Sequence, residues 1–405
     1  MRAAVRCQDR SSRLRPRSRS TPSITTAAGK ICPGTVLLLL ALVLVPLAGA
    51  QEKRCTRCKS RGWVECGEHG KLDLSKEREV VYCSVVDGCE ACGGIGWLAC
   101  TACDEGPMGA EAEARRAGAA EARARLAELD TTMQRPLRKA ESAHFVLIWE
   151  MTPLKVGKKL QDEHAMLHLT LARLEALYAD YTQLLGVADT AFAKKPRVFV
   201  WYLPDEHKAA SQAFCDMYAP AGTKLMGLNP NYSVCGSNRY FKGDEQLHRN
   251  LVHCVTHLLF SHEYPPQWIG NLRGGWAEEG LAHLFEERGF GVCDNYCYQE
   301  QNTRYDFKGG RFKPALRKLV EEDQMPPLAG VMQRNTDQLE PAEHAVALAV
   351  VEYLVQRDAA AFDQLGQKLR SRAETRDVLQ ELYGLSILEL EVALQAWVLE
   401  TYPAR

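Results

Sequence analysis

The chain has 405 residues, 46% of them apolar and 25% charged. That composition belongs to a folded protein and excludes a disordered or collagen-like one. The length exceeds one typical core, so two or more folded units are expected. Net charge is −1 but unevenly spread: residues 1–50 carry +7, which leaves −8 on the remainder. An acidic remainder has no basic surplus to neutralise phosphates, so general nucleic-acid binding is not expected.

Residues 2–30 are rich in Arg and Ser, and residues 35–47 (TVLLLLALVLVPL) are almost purely apolar. Ala48-Gly49-Ala50 follows as a small-residue A-x-A pattern. A charged stretch, a short apolar run and a small cleavage site read as a secretory signal peptide over residues 1–50, cut after Ala50. The run is short for a membrane-spanning helix. The alternative is an uncleaved anchor formed by residues 35–50, which would tie the chain to a membrane. The expected location is secreted, or periplasmic and cell-envelope, where unligated thiols can pair.

Fifteen cysteines are too sparse for a disulfide scaffold, but they cluster. Within residues 51–105 two segments align with an offset of 34 residues: CTRCKSRGWVECGEH from Cys55, and CEACGGIGWLACTAC from Cys89. Cys55, Cys58, Gly62, Trp63 and Cys66 match Cys89, Cys92, Gly96, Trp97 and Cys100, and His69 falls where Cys103 falls. Each unit is thus a C-x-x-C turn, a seven-residue spacer, and a C-x-x-C or C-x-x-H turn. Such turns suit tetrahedral zinc, and eight ligand candidates make two four-ligand structural sites. Disulfides are the competing reading. Against them, a Cys-to-His exchange keeps a zinc ligand but destroys a disulfide.

The pattern resembles the cysteine-rich domain of DnaJ-type co-chaperones, whose motif is C-x-x-C-x-G-x-G. Only Cys89–Gly96 matches that motif in full. The resemblance covers about 50 residues and implies a peptide- or protein-binding module without catalysis. It also implies the pairing: Cys55, Cys58, Cys100 and Cys103 on one zinc, and Cys66, His69, Cys89 and Cys92 on the other. The alternating stretch Glu79–Val86 would be a hairpin strand, and Cys83 is left over as a substitute for His69.

Residues 106–140 are dominated by Ala, Glu and Arg, strong helix formers with little bulk to bury, and read as a solvated linker helix. From residue 141 to 405 the texture is α plus β. His144–Glu150 and Arg197–Leu203 read as strands and Leu225–Val234 as an edge strand. Glu163–Leu185, Asp205–Tyr218, Leu247–Phe260 and Trp276–Glu287 read as helices, and residues 342–400 as entirely helical.

His253 and His257 are four apart and share one helix face, a spacing that lets two imidazoles hold one ion. Glu279 follows 22 residues after His257, in WAEEGLAHLFEE. The stretches HCVTH and Trp276-Ala277-Glu278-Glu279-Gly280-Leu281-Ala282 resemble the gluzincin metallopeptidases, whose pattern is HExxH followed on a second helix by a ligand glutamate. The resemblance covers roughly residues 141–360. It implies a mainly helical zincin-like domain with a small sheet, and His253, His257 and Glu279 as ligands of a third zinc. Two His and one carboxylate also suit ferrous iron.

This chain departs from the family at one position: Cys254 stands where the family's catalytic Glu stands. That Glu accepts a proton from metal-bound water, and a thiol is shorter with an ordinary pKa of about 8.5. His344 lies near where relatives place a transition-state Tyr or His. His283 falls at the place of an acidic group behind the metal, or is a partly exposed helix residue, and His248 and His262 read as surface residues. Cys215 with Cys235, and Cys293 with Cys297, are candidate disulfides.

The expected fold is α+β: a zinc-knuckle module, a helical linker and a zincin-like domain. The expected function is an exported zinc-binding protein with a degenerate, inactive metallopeptidase-like domain that binds peptides or proteins. The alternative is an active zinc peptidase with Glu278, Glu263 or His344 as substitute base. A redox protein using the cysteines is a third reading.

Overall fold

The computed structural model describes residues 55–69, 79–102, 107–216, 223–225, 230–263, 269–296 and 307–404. The signal or anchor segment, Cys103 and Cys297 lie outside them. Residues Arg54–Arg405 form one compact unit. The whole is mainly helical with small sheets.

Among the described residues the strands are β1 Trp63–Glu65, β2 Tyr82–Cys83, β3 Trp97–Ala99, β4 Lys139–Glu141, β5 Val146–Glu150, β6 Leu154–Val156, β7 Lys159–Gln161, β8 Arg197–Trp201, β9 Thr223–Leu225 and β10 Asn231–Cys235. Six of them make the main sheet in the order β2-β4-β5-β8-β10-β9. Its centre, β5-β8-β10, is parallel, with Val146 opposite Arg197 and Arg197 opposite Asn231. These central strands (VLIWE, RVFVW, NYSVC) are buried along almost their whole length. Near-continuous apolar runs rather than alternation mark strands covered on both faces. The flanking pairs β2-β4, β4-β5 and β9-β10 are antiparallel. The segment expected as one edge strand over Leu225–Val234 is therefore two strands, and β10 lies inside the sheet.

The helices are α1 Pro107–Met133, α2 Glu163–Leu185, α3 Pro204–Cys215, α4 Asp244–Glu263, α5 Gly275–Phe290, α6 Phe312–Glu321, α7 Leu328–Val331, α8 Pro341–Arg357, α9 Ala359–Arg370, α10 Thr375–Tyr383 and α11 Ile387–Thr401. Helix α2 begins at Asp162, whose side chain accepts from Ala165 N–H, and stops at Gly186 in the left-handed conformation. It packs on β5 and on α4, while α3 covers β8 and β10. Helix α5 lies between α4 and α8 and is buried continuously from Gly275 to Glu286. Among the described residues no single helix is long and apolar enough to cross a membrane.

Two expectations are corrected here. Helix α1 is not solvated all round: Ala119, Ala122, Leu126 and Leu129 are buried, and the helix packs on β2 and β3. Its arginines reach into the cysteine-rich segment, Arg115 to Val80 O and over the Trp97 ring, Arg123 to Gly93 O at 3.2 Å. Alanine buries little area per residue, but it lets a helix approach closely. The Glu79–Val86 stretch supplies only β2, which pairs with β4 of the main sheet rather than forming a hairpin of its own.

Candidate metal centres

The cysteine repeat folds as two interlocked halves. β1 and β3 pair antiparallel, with Trp63 opposite Ala99 and Glu65 opposite Trp97. Cys66 N–H donates to Gly96 O at 3.0 Å, and Cys100 N–H donates to Gly62 O at 2.9 Å. Gly62 and Gly96 have φ of 77° and 78°, a left-handed turn that a side chain would strain. That turn aims Gly62 N–H at Cys58 Sγ and Gly96 N–H at Cys92 Sγ, each at 3.3 Å. Backbone N–H groups pointed at sulfur favour the thiolate, the form that binds metal.

The exchange of halves brings together Cys66, His69, Cys89 and Cys92 in one cluster and Cys55, Cys58 and Cys100 in another. Cys103, the expected fourth member of the latter, is outside the described residues. Sulfur atoms are 3.8 Å apart for Cys55 and Cys100 and 3.7 Å for Cys66 and Cys89. A disulfide needs about 2.05 Å. Sulfurs sharing a tetrahedral ion at bond lengths near 2.3 Å stand about 3.8 Å apart. The spacing therefore fits a shared metal ion. His69 places Nε2 3.2 Å from Val86 O, with its ring nitrogens 3.8 and 4.0 Å from Cys92 Sγ. Burial pushes the Cys66 thiol up to about 12, with Cys89 and Cys92 adding to the rise. Cys89 is held below its ordinary value despite burial, by hydrogen bonds from Cys92. Cys83 sits on β2, buried, and belongs to neither cluster.

The second constellation joins α4, α5 and α8. Nε2 atoms of His253 and His257 are 3.3 Å apart. His253 Nε2 is 3.5 Å from Glu279 Oε2, and His257 Nε2 is 3.6 Å from Glu279 Oε1. All three side chains are fully buried. Donors at about 2.0–2.1 Å from one tetrahedral ion stand about 3.3–3.4 Å apart, close to the observed triangle. Neither carboxylate oxygen of Glu279 accepts a hydrogen bond. Leaving a buried carboxylate so costs several kcal/mol, whereas an ion in the triangle would compensate it.

Glu286, which the sequence reading passed over, orients this site. Its Oε2 lies 3.2 Å from His253 Nδ1 and 3.4 Å from His283 Nδ1. Its Oε1 accepts from Asp294 N–H at 2.8 Å and Asn295 Nδ2 at 2.7 Å. Burial works against the charged form, but His253 and His283 hold the Glu286 carboxyl down at about 2. Glu279 is likewise held well below its usual range, against the push of burial, by His257, His253 and His344. Burial disfavours charge on His253, yet Glu279 and Glu286 raise it well above its ordinary value. The signal for Glu286 was available: Glu279, His283 and Glu286 are spaced i, i+4, i+7, one face of α5.

The other expected residues fall as follows. His344, on α8, sets Nδ1 3.3 Å from Glu279 Oε2 and 3.0 Å from His283 Nε2. His283 is fully buried, not partly exposed, and burial first of all holds it down at about 4. Cys254 is buried in the apolar core and belongs to no metal-capable cluster among the described residues. Glu278 accepts from Ser261 Oγ at 2.9 Å and stands 3.9 Å from His257 Nδ1. His262 is buried, contrary to the surface reading, and His248 is half-buried against Phe290. Cys235 is a thiol with Sγ 3.6 Å from Tyr202 O, so the expected Cys215–Cys235 bridge is not formed. Cys293 is a thiol facing His283 O at 3.5 Å.

Compared with protein families, curated proteins and solved structures, the chain has no match.

Proposed function

We propose that this chain is an exported zinc-binding protein whose large domain has a zincin-like plan without peptidase chemistry and serves to bind peptides or proteins. One observation carries the metal reading: the buried, hydrogen-bond-free carboxylate of Glu279 facing the Nε2 atoms of His253 and His257. Thiolate and imidazole donors at tetrahedral spacing favour zinc in the cysteine clusters, and imidazole with carboxylate suits it in the third.

Zinc bound by His253, His257 and Glu279 would supply a Lewis acid and tie α4 to α5. Hydrolysis needs in addition a proton acceptor beside the ion. The residue next to His253 is Cys254, a core side chain. Glu278 is engaged by Ser261 and faces His257 Nδ1, the position of a group that orients a ligand. His344 is engaged by His283. Full burial of the three ligands also suits a closed, structural ion better than one with an open position. Export rests on the apolar run and A-x-A pattern of residues 35–50, and peptide binding on the resemblance of both halves to peptide-handling families.

The test is a peptide-library hydrolysis assay on zinc-loaded full chain, with chelator-treated chain beside it. No chelator-sensitive cleavage is expected. Cleavage that vanishes on chelation and returns with zinc would establish the peptidase alternative instead.

A further inference from the structure

His283 and His344 are not needed by an ion on His253, His257 and Glu279, yet both turn a nitrogen toward the same carboxylate. His283 Nε2 is 3.4 Å from Glu279 Oε2, His344 Nδ1 is 3.3 Å from it, and the two nitrogens are 3.0 Å apart. The two edges to the carboxylate match those expected around one ion, about 3.3–3.4 Å, and the edge between the imidazoles is a shorter hydrogen-bond contact. Its members are buried, His344 being 2% exposed and the others 0%.

The hydrogen-bond pattern makes the same point. Glu286 Oε2 faces Nδ1 of both His253 and His283. A carboxylate accepts, so each Nδ1 carries the proton, and each Nε2 is turned toward Glu279. Each Nε2 also has a second imidazole beside it, His257 Nε2 at 3.3 Å and His344 Nδ1 at 3.0 Å, while the Glu279 carboxylate itself accepts no hydrogen bond. A carboxylate that accepts no hydrogen bond in a water-free interior is costly, and a cation beside it would offset that cost. Oε1 of Glu279 faces His257, and Oε2 faces His253 as well as His283 and His344.

We propose that Glu279, His283 and His344 hold a second divalent first-row transition ion, with the Glu279 carboxylate bridging it to the ion on His253 and His257. This rests on the reading that the first ion binds there. Paired ions joined in this way stand roughly 3.5–4 Å apart. Nitrogen and carboxylate donors admit zinc, manganese, iron or cobalt.

The experiment uses the full chain with zinc in its cysteine centres and cobalt(II) added to fill the remaining sites. Metal is counted by elemental mass spectrometry, and the cobalt is examined by electron paramagnetic resonance. The proposal expects four ions per chain, two of them cobalt with a spin-coupled spectrum. His344→Ala and His283→Ala should each lose one cobalt, leaving an uncoupled spectrum. The wild-type spectrum decides the matter even if a variant fails to fold. Three ions with one uncoupled cobalt would overturn the second site and leave the first standing. Two ions, with no cobalt held, would overturn both.

Discussion

Gly280 on α5 lies against the backbone of Ala347 on α8, so close that an added Cβ would come within 2.8 Å of the Ala347 carbonyl carbon. Gly280 directly follows Glu279, and Ala347 is one turn beyond His344. The absence of a side chain at Gly280 therefore sets the distance from Glu279 to His344. Gly280→Ala should destabilise the fold by about 1–3 kcal/mol, because backbone cannot yield as a flexible side chain does. The gain in helix propensity, about 1 kcal/mol, offsets only part of this. Thermal unfolding of wild type and variant checks it, and a rise in Tm would contradict the close approach.

Glu286 receives both Nδ1–H groups of His253 and His283. Glu286→Gln keeps the shape but puts an amide N–H2 or a weaker acceptor before those rings. Metal affinity at the His/Glu centre should fall 10- to 100-fold, as for other groups that orient metal-bound histidines. The cysteine centres should be unaffected. Competition titration with a chromogenic chelator separates the two classes.

His69 stands where the second repeat has Cys103. Exchange of one ligand type for the other preserves a four-ligand zinc site. His69→Cys should therefore retain its ion and His69→Ala should lose it or bind it far more weakly. Zinc content after dialysis against a mild chelator distinguishes them, and equal retention in both variants would remove His69 from the ligand set.

Burial and the neighbouring Arg173 guanidinium, opposed in part by Asp244, hold His248 down at about 4 against its ordinary value near 6.5. Between these values the unfolded chain binds a proton that the folded chain does not, so stability rises with pH. This contribution is complete above about pH 6.5 and fades as pH falls toward 4. His248→Gln should flatten the stability curve over that window, as urea unfolding at several pH values would show. An unchanged slope would mean that His248 titrates normally.

Much of this architecture was legible in the sequence. Helix α2 matches the expected span because its apolar positions recur every three to four residues and Asp162 and Gly186 cap it. The grouping across the cysteine repeat was legible only through the resemblance; the structure brings together Cys66, His69, Cys89 and Cys92, and Cys55, Cys58 and Cys100, while Cys103 lies outside the described residues. Strand β2 was not legible as part of the main sheet, because two residues carry no period and its partner β4 lies more than 50 residues away. The buried face of α1 was missed because Ala119 and Ala122 look like surface helix formers. Glu286 was missed because it sits in a charged run, Glu286-Glu287-Arg288, that reads as solvated. What burial does to such a residue depends on α4, which the local sequence does not contain.

The central claim is that α4 and α5 close around a metal ion. Elemental mass spectrometry on purified full chain and on His257→Ala tests it most directly. The account expects more than two ions per wild-type chain and at least one fewer in the variant, with the cysteine-bound ions retained. Two ions per chain in both proteins would contradict it and leave the His/Glu cluster as a hydrogen-bonded core without metal.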